Sequence, residues 1–194
     1  MDFTVIEQQI VQAVSAKRLR HCTATALVAR SLAERFPNRA VDTDEAYLVG
    51  LWHDIAREWT DDALYAFCID HTIEMEQEEA ACPMLLHGAV AGRLLMSMLP
   101  GVRQTLQVAI RWHTLGSVFM GALGAVLFIA DYIEPNRRHI DDQKREYILG
   151  KPTLEAMCLA VIEMTEEYFL HCHQRKLAHT TARLQTYLQQ GFEL

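Results

Sequence analysis

Histidine and aspartate side chains recur along this sequence at positions where they could bind a metal ion. His53 and Asp54 interrupt the apolar run "GLWHDIAREW", and Asp131 interrupts "LFIADYI". Removing a carboxylate from water costs several kcal/mol or more unless a counter-charge or a metal compensates it, so these residues need strong partners. Three further histidines within or at the ends of apolar-faced segments complete the series: His21, His87 and His113.

The residue types in this series define the chemistry to expect. Imidazole and carboxylate ligands suit iron, manganese, cobalt or zinc, and no cysteines converge with them to form a thiolate site. On a helix, His53 and Asp54 would point about 100° apart, so both could approach one ion. A lone helical histidine is more often hydrogen-bonded in the core or at the surface, and "HD" alone is a weak signal. The joint pattern predicts a metal site.

The elements that must position these side chains are helices. Apolar residues recur at spacings of three and four, and strand-like alternation is scarce, which predicts an all-α protein. Asp42 with Glu45 resembles a capping box, and Pro135 follows the end of one helix. A helical bundle could bring one inward-facing ligand from each helix to a common centre. The predicted helices span residues 2–15, 19–35, 42–58, 60–70, 87–98, 101–113, 117–133, 153–174 and 179–190.

Length and charge limit the other classes of function. The chain has 194 residues, which predicts one domain, and its net charge of -7 argues against a nucleic acid partner. Five cysteines without a C-x-x-C pair indicate reduced thiols and a cytoplasmic protein. The N-terminus lacks the pattern of a signal peptide, and the longest apolar stretch, "VFMGALGAVLFIA", is too short to cross a membrane.

Five phrases carry a family resemblance: "KRLRH", "GLWHDIAR", "LLHGAVAG", "AIRWHTLG" and "FIADYIEPNR". In this order they resemble the HD-domain metal-dependent phosphohydrolases, and more closely the bacterial YqeK family of that superfamily. The resemblance implies an HD-domain helical bundle with the metal site between helices. It also implies a symmetrical bis(5'-nucleosyl)-tetraphosphatase, an acid anhydride hydrolase that uses iron to cleave diadenosine tetraphosphate into two ADP.

The domain expected from this resemblance is a single HD domain over residues 1–194. Its metal and phosphate core would span residues 17–137, and the C-terminal helices of residues 153–190 would pack on that core and border the nucleoside. The segment "KLAHTTARLQ" is similar to the family's C-terminal turn and helix, with Thr180 or Thr181 as a plain N-cap in the alternative interpretation. The helix of residues 153–174 is a candidate surface for a homodimer.

The predicted metal ligands divide into two groups around Asp54, which can bridge two ions. His21, His53 and Asp131 would complete one site. His87 and His113 would supply the second ion, or contact phosphate directly, and both arrangements stay open. Two ions would lower the pKa of a shared water and neutralise charge on the attacked phosphate. One or two iron ions are expected, with manganese, cobalt or magnesium as substitutes. Asp54, His87 and His113 are the predicted catalytic residues.

Basic residues near these positions are candidates for binding the phosphates of a small nucleotide. Arg18 lies one helical turn before His21, and its alternative is a solvated patch with Lys17 and Arg20. The family usually has Lys at the position of Arg57, so this chain keeps the charge but changes its geometry. Arg138 is interpreted as a surface residue. The predicted substrate contacts are Arg18, Arg57, His87, His113, Thr114 and Arg137.

Alternative functions share some of these features. One is an HD-domain nucleotidase or alarmone phosphatase that acts on mononucleotides. Another is a non-catalytic nucleotide-sensing protein, although retention of all six candidate ligands favours catalysis. A ferritin-like di-iron oxidase is excluded because no histidine here has a glutamate three residues before it.

Overall fold

All regular secondary structure is helical over the residues that the protein's structure, a computed structural model, describes: 3–173 and 176–194, without the side chains of 172 and 173. The predicted fold class is therefore confirmed. Two short 3-10 helices, Pro37–Arg39 and Pro83–Leu86, accompany the α-helices. These are α1 (Thr4–Ala13), α2 (Ala16–Arg35), α3 (Thr43–Trp52), α4 (Asp61–Asp70), α5 (Gln77–Ala81), α6 (His87–Met98), α7 (Gln104–Trp112), α8 (Gly121–Ile133), α9 (Asp142–Leu149), α10 (Leu154–His173) and α11 (His179–Gln189).

The pair of α2 and α3 packs at the centre of the bundle. Small residues on α2 let the two backbones approach closely, and a Cβ added at Gly50 would lie only 2.6 Å from the Cα of Ala26. Helix α8 packs against α2, α7 and α10, while α6 packs against α7. One hydrophobic cluster runs through these contacts and includes Trp52, Leu95 and Ile129. The helix termini that carry the candidate ligands are fixed by this core.

Helix caps explain where the central helices begin. Ser15 caps α2 by accepting a hydrogen bond from the backbone N–H of Arg18, so the helix begins at Ala16, before the predicted residue 19. Asp42 caps α3 by accepting from the N–H groups of residues 44 and 45. The predicted capping box with Glu45 is wrong, because the Glu45 carboxylate pairs with Arg103 instead.

The predicted helix 42–58 is too long, because α3 ends at Trp52. His53 is its C-cap, and residues 54–58 form successive turns. In these turns the N–H of Ile55 bonds to the Trp52 carbonyl at 3.0 Å, and that of Arg57 bonds to the Asp54 carbonyl at 2.9 Å. His53 and Asp54 therefore lie in the tight turns that follow the end of α3. They are not side chains of a continuous helix.

Other predicted boundaries also need correction. Helix α1 is shorter than the predicted helix of residues 2–15. Residue 2 lies outside the described residues, and so does residue 174, the last residue of the predicted helix 153–174. Helix α8 begins at Gly121, four residues after predicted. Helices α5 and α9 are additional. The N-cap of α11 is Ala178, so the predicted caps Thr180 and Thr181 lie inside the helix, where the Thr181 hydroxyl donates to the Leu115 carbonyl at 2.7 Å.

Within the described part of the chain, none of the helices has the length and apolar character needed to cross a membrane. Four cysteines have described side chains, and all four are free thiols: Cys22, Cys68, Cys82 and Cys158.

Candidate metal centre

Five structural elements bring the six candidate ligands to one place. His21 comes from α2, while His53 and Asp54 follow the end of α3. The other three lie at helix ends: His87 opens α6, His113 caps the end of α7 and Asp131 lies near the end of α8. Apart from Asp131, which is 15% exposed at its side chain, all are buried, and His53 is completely inaccessible. The structure therefore assembles every residue that the sequence predicts as a metal ligand.

The two oxygens of Asp54 face different histidine pairs. Oδ2 lies 3.4 Å from Nε2 of His21 and 3.5 Å from Nε2 of His53. Oδ1 lies 3.2 Å from Nε2 of His87 and 3.7 Å from Nε2 of His113. A metal that binds its ligands at about 2.1 Å separates neighbouring ligand atoms by about 3.0–3.5 Å. The spacing on each side of the carboxylate is close to that of one coordination shell.

Asp131 joins the first of these groups. Its Oδ1 lies 3.1 Å from Nε2 of His21 and 3.6 Å from Nε2 of His53. The two histidine nitrogens are 3.2 Å apart, and those of His87 and His113 are 3.1 Å apart. Two clusters result, one with two histidines and two carboxylates and one with two histidines and the shared Asp54.

Hydrogen bonds at the outer ring nitrogens fix the orientation of the histidines. The Nδ1–H of His53 donates to the Gly50 carbonyl at 2.7 Å, and the Nδ1–H of His87 donates to the Met84 carbonyl at 2.6 Å. His113 donates in the same way to Ile110 at 2.8 Å. In a neutral imidazole the proton on Nδ1 leaves a lone pair on Nε2. The Nε2 lone pairs face one another and two carboxylates, and such groups repel unless a cation lies between them. The donor set therefore fits a metal ion.

His21 is oriented by a carboxylate. Its Nδ1 lies 3.1 Å from Oε1 of Glu134, which is only 1% exposed. The second Glu134 oxygen accepts from the N–H of Asn136 at 2.7 Å. A carboxylate behind a ligating histidine fixes the ring and raises its basicity. The sequence analysis did not identify Glu134, although an acidic residue directly before Pro135 in a quoted motif was a visible signal.

The charges of the cluster shift several pKa values. Burial alone would lower the pKa of His21, but hydrogen bonds with Asp131, Asp54 and Glu134 outweigh burial and raise the pKa to about 10. Burial lowers the pKa of His53 and of His87 despite their neighbouring carboxylates. Burial would raise the pKa of Asp54, but the surrounding histidines hold it well below its usual range. At neutral pH the metal-free centre thus combines ionised Asp54 with neutral imidazoles at His53 and His87 and a protonated imidazole at His21.

Two arginines bind the carboxylates of the centre. Arg18 donates to Oδ2 of Asp54, and Arg137 donates to Oδ1 of Asp131. These are oxygens that also face the histidine nitrogens. The Nε of Arg18 is buried and has no partner among the described residues. Both guanidinium groups stand at the edge of the centre, where an anionic ligand would meet them.

The remaining predicted contacts lie at different distances from the centre. The Thr114 hydroxyl is 3.1 Å from Nε2 of His113 and 3.4 Å from Nε2 of His87, so it borders the second cluster. Arg57 is close to Asp54 through its backbone, but its partly buried side chain has no ion pair within the described residues and lines none of the cavities described below. Its contact with phosphate stays a prediction.

Two cavities adjoin the centre on different sides. One, which we call the basic cavity, has a volume of about 900 Å³ and includes His21. The other residues that line it are mainly polar and charged: Lys17, Arg18, Arg20, Glu58, Glu134, Asn136, Arg137 and Arg138. The other, of about 390 Å³, reaches His113, Thr114 and Asp131. We call it the aromatic cavity, because Phe128, Tyr132, Tyr168 and Phe169 line it together with Leu177 and Thr181. Arg137 borders both cavities.

Comparison with known proteins agrees with this geometry. The family model of the HD domain matches residues 18–136, which contain all six candidate ligands. The chain belongs to the HD-domain family. The expected membership is thereby confirmed, and the match overlaps every helix that carries a candidate ligand.

Curated relatives support the same family. A symmetrical bis(5'-nucleosyl)-tetraphosphatase of Bacillus subtilis is 32% identical over 142 residues, covering 66% of this chain and 67% of the relative. The protein of the same name from Staphylococcus aureus is 30% identical, covering 62% of this chain and 60% of the relative. A probable nicotinate-nucleotide adenylyltransferase/Ap4A hydrolase of Mycoplasma genitalium is 29% identical over 64% of this chain, which spans only 34% of that relative.

A solved structure shares the fold over nearly the whole chain. It is the crystal structure of a "predicted HD superfamily hydrolase involved in NAD metabolism" from Clostridium acetobutylicum. The TM-score is 0.87 at 24% sequence identity, with 99% of each chain covered. The helices outside residues 18–136 therefore also have counterparts in that structure.

Proposed function

We propose that this protein is a metal-dependent hydrolase that cleaves dinucleoside tetraphosphates symmetrically, converting diadenosine tetraphosphate into two ADP. The observation that carries the proposal is the position of Asp54, whose two oxygens face two separate histidine pairs. The names of the Bacillus subtilis and Staphylococcus aureus relatives, which belong to proteins matched over about two thirds of this chain, support the substrate.

The proposed ligands of the first ion are His21, His53, Asp54 and Asp131. Asp54, His87 and His113 would hold a second ion. When bound, the ions would supply an activated water and positive charge at the attacked phosphorus. Iron, which the resemblance to the YqeK family implies, is the proposed metal, with manganese, cobalt or magnesium as substitutes. A donor set of nitrogen and oxygen without thiolate is compatible with iron. Asp54, His87 and His113 are the proposed catalytic residues.

The substrate phosphates would be bound by residues of the chain around this centre. Arg18 and Arg137 would turn from Asp54 and Asp131 to the phosphate oxygens, for which their planar guanidinium groups are well shaped. The Thr114 hydroxyl would donate to a phosphate oxygen beside His87 and His113, and Arg57 would add charge from the turns after α3. One nucleoside would lie in the aromatic cavity, against helices α10 and α11.

The wider assignments follow from this proposal. The chain would work as one HD domain over residues 1–194, with its metal and phosphate core in residues 17–137 and with residues 153–190 bordering the nucleoside. We propose a cytoplasmic enzyme with a nucleotide substrate and no nucleic acid partner. A homodimer through α10 stays a prediction.

Product analysis tests the proposal. The iron-loaded protein is incubated with diadenosine tetraphosphate, and the products are separated by ion-exchange chromatography. ADP as the sole product is expected. AMP with ATP would mean a hydrolase that attacks at another position. No turnover despite bound iron would reject the proposal and favour a mononucleotide phosphatase or a nucleotide sensor, which are separated by offering mononucleotides singly.

A further inference from the structure

The basic cavity concentrates positive charge that is not fully neutralised by the described residues. Lys17, Arg20 and Arg138 are exposed and have no ion pair within the described residues. Its two carboxylates are already engaged: Glu58 accepts two hydrogen bonds from Ser15, and Glu134 lies beside His21 and accepts from Asn136. In a chain of net charge -7, three free cations around one concavity indicate an anionic ligand.

This cavity opens on the same reaction centre as the aromatic cavity. His21 lines the basic cavity, and its Nε2 lies 3.1 Å from the carboxylate of Asp131, which lines the aromatic cavity. Arg137 lies between them and borders both. A ligand that extends from one cavity into the other would therefore pass the candidate ligands His21 and Asp131.

The two cavities differ in what they can recognise. The aromatic cavity, with four aromatic rings and a volume of about 390 Å³, is suited to one nucleoside. Among the described residues, no Phe, Tyr or Trp lines the basic cavity, so it offers no ring on which a second base could stack. Its arginines and lysine are suited to phosphate oxygens, which Arg binds through its fork and Lys as a point charge.

We propose that the basic cavity binds the departing half of the substrate through its phosphates alone, so that the protein selects one nucleoside and a polyphosphate tail. This inference rests on the proposed function and extends it to a substrate class. A nucleoside 5'-tetraphosphate, which has no second nucleoside, is a substrate and gives a nucleoside diphosphate and pyrophosphate.

The reaction on this substrate balances as a hydrolysis. The oxygen of water forms a bond to the second phosphorus, counted from the nucleoside. The bond from that phosphorus to the oxygen bridging it to the third phosphorus breaks, and this oxygen leaves with the electron pair as part of pyrophosphate. The two protons of water pass to the products and the solvent. Lys17, Arg20 and Arg138 stabilise the negative charge of the leaving pyrophosphate.

The first test compares two substrates with the metal-loaded protein. The kcat/KM for adenosine 5'-tetraphosphate is expected within about tenfold of that for diadenosine tetraphosphate, a difference below about 1.4 kcal/mol. A larger loss, with diadenosine tetraphosphate still cleaved to ADP, overturns this inference and leaves the proposed function intact. Cleavage of neither substrate overturns both. In water labelled with oxygen-18, the label is expected in ADP; label in pyrophosphate contradicts the assigned leaving group.

Variants test the basic cavity itself. Arg20→Ala combined with Arg138→Ala is expected to raise the KM for both tetraphosphates about tenfold or more, because each loses charged contacts. The inhibition constant of ADP, which fills only the aromatic cavity and the centre, stays unchanged. Arg93→Ala is the matched control, since this exposed arginine lies on α6 in a different cavity. An unchanged KM in the double variant, or an equal loss of ADP binding, contradicts the assignment.

Discussion

Glu134 accepts a hydrogen bond from Nδ1 of His21 across 3.1 Å and is almost completely buried. Glu134 thereby orients His21, whereas backbone carbonyls orient the other three candidate histidine ligands. We expect Glu134→Gln to weaken Mn²⁺ binding about 10–100-fold, as is typical when the group behind a ligating histidine is lost. Isothermal titration calorimetry measures this change. Glu163→Gln, an exposed carboxylate on α10, is the control, and equal affinities in both variants would show that Glu134 does not position His21.

Asp54 is the residue on which the two-ion arrangement depends. Asp54→Ala removes both oxygens that face the histidine pairs, so we expect loss of bound metal and of hydrolysis together. Helical content should persist, because the surrounding core of α2, α3 and α8 is unchanged. Metal analysis, product assay and circular dichroism check the three outcomes. Turnover retained in a folded Asp54→Ala protein is incompatible with the proposed centre.

Arg18 shares an Asp54 oxygen with the proposed metal. We expect Arg18→Ala to tighten metal binding, because a competing cation is removed. The same change should raise the substrate KM about 10–100-fold, the usual effect of losing a hydrogen bond to a charged group. Arg18→Lys keeps the charge and should lie between the two proteins in both measurements. Weaker metal binding in Arg18→Ala would contradict the competition.

Metal binding should release a proton from His21. In the metal-free protein the pKa of His21 is raised to about 10, so the ring is protonated at neutral pH and its proton stabilises the fold. That stability is complete below pH 6.5 and is lost as the pH rises through 10. The affinity for Mn²⁺ should therefore rise with pH by up to about tenfold per unit between pH 7 and 9.

Calorimetry in two buffers of different ionisation enthalpy measures this proton. The heat of Mn²⁺ binding at pH 7.5 should differ between the buffers by the heat of about one proton. His53 and His87, whose pKa values are lowered, contribute none because they are already neutral. Identical heats in the two buffers would show that His21 is not protonated before the metal binds.

Gly50 links the packing of the bundle to the centre. An added Cβ would meet the Ala26 backbone at 2.6 Å, and the Gly50 carbonyl orients His53. We expect Gly50→Ala to lower the free energy of unfolding of the metal-free protein by about 1–3 kcal/mol, the range for overpacking. Urea denaturation measures it. Gly150→Ala, where the added atom meets only two carbonyl oxygens at 3.2 and 3.5 Å, should cost less, and the reverse order would contradict the close contact of α2 and α3.

The sequence predicts most of the helices and the convergence of the six candidate ligands, because both depend on residue type and spacing. Buried carboxylates such as Asp54 and Asp131 must be compensated wherever they occur, and the structure places them together. The end of α3 at Trp52 was not visible, because residues 53–58 contain neither glycine nor proline and continue the apolar pattern. Helix α9 was missed for the opposite reason, since its polar sequence "DQKREYIL" has a weak apolar face.

Side chains that act through three-dimensional packing were harder to identify. Glu134 contacts His21 only because the end of α8 lies against that histidine. Arg20 and Arg138 are exposed, as is usual for charged surface residues. They are far apart in sequence, but both line the basic cavity. Tyr168 on α10 lines the aromatic cavity beside His113 in the same way. Such convergence between helices is not encoded in any local spacing.

The most direct test of the account is to locate the metals. Crystals of the Mn²⁺-loaded protein are measured by X-ray diffraction at a wavelength with strong anomalous scattering from manganese. Two anomalous peaks are expected, one between Asp54, His21, His53 and Asp131 and one between Asp54, His87 and His113. Peaks that lie outside this cluster, or a loaded protein without a peak beside Asp54, would contradict this arrangement.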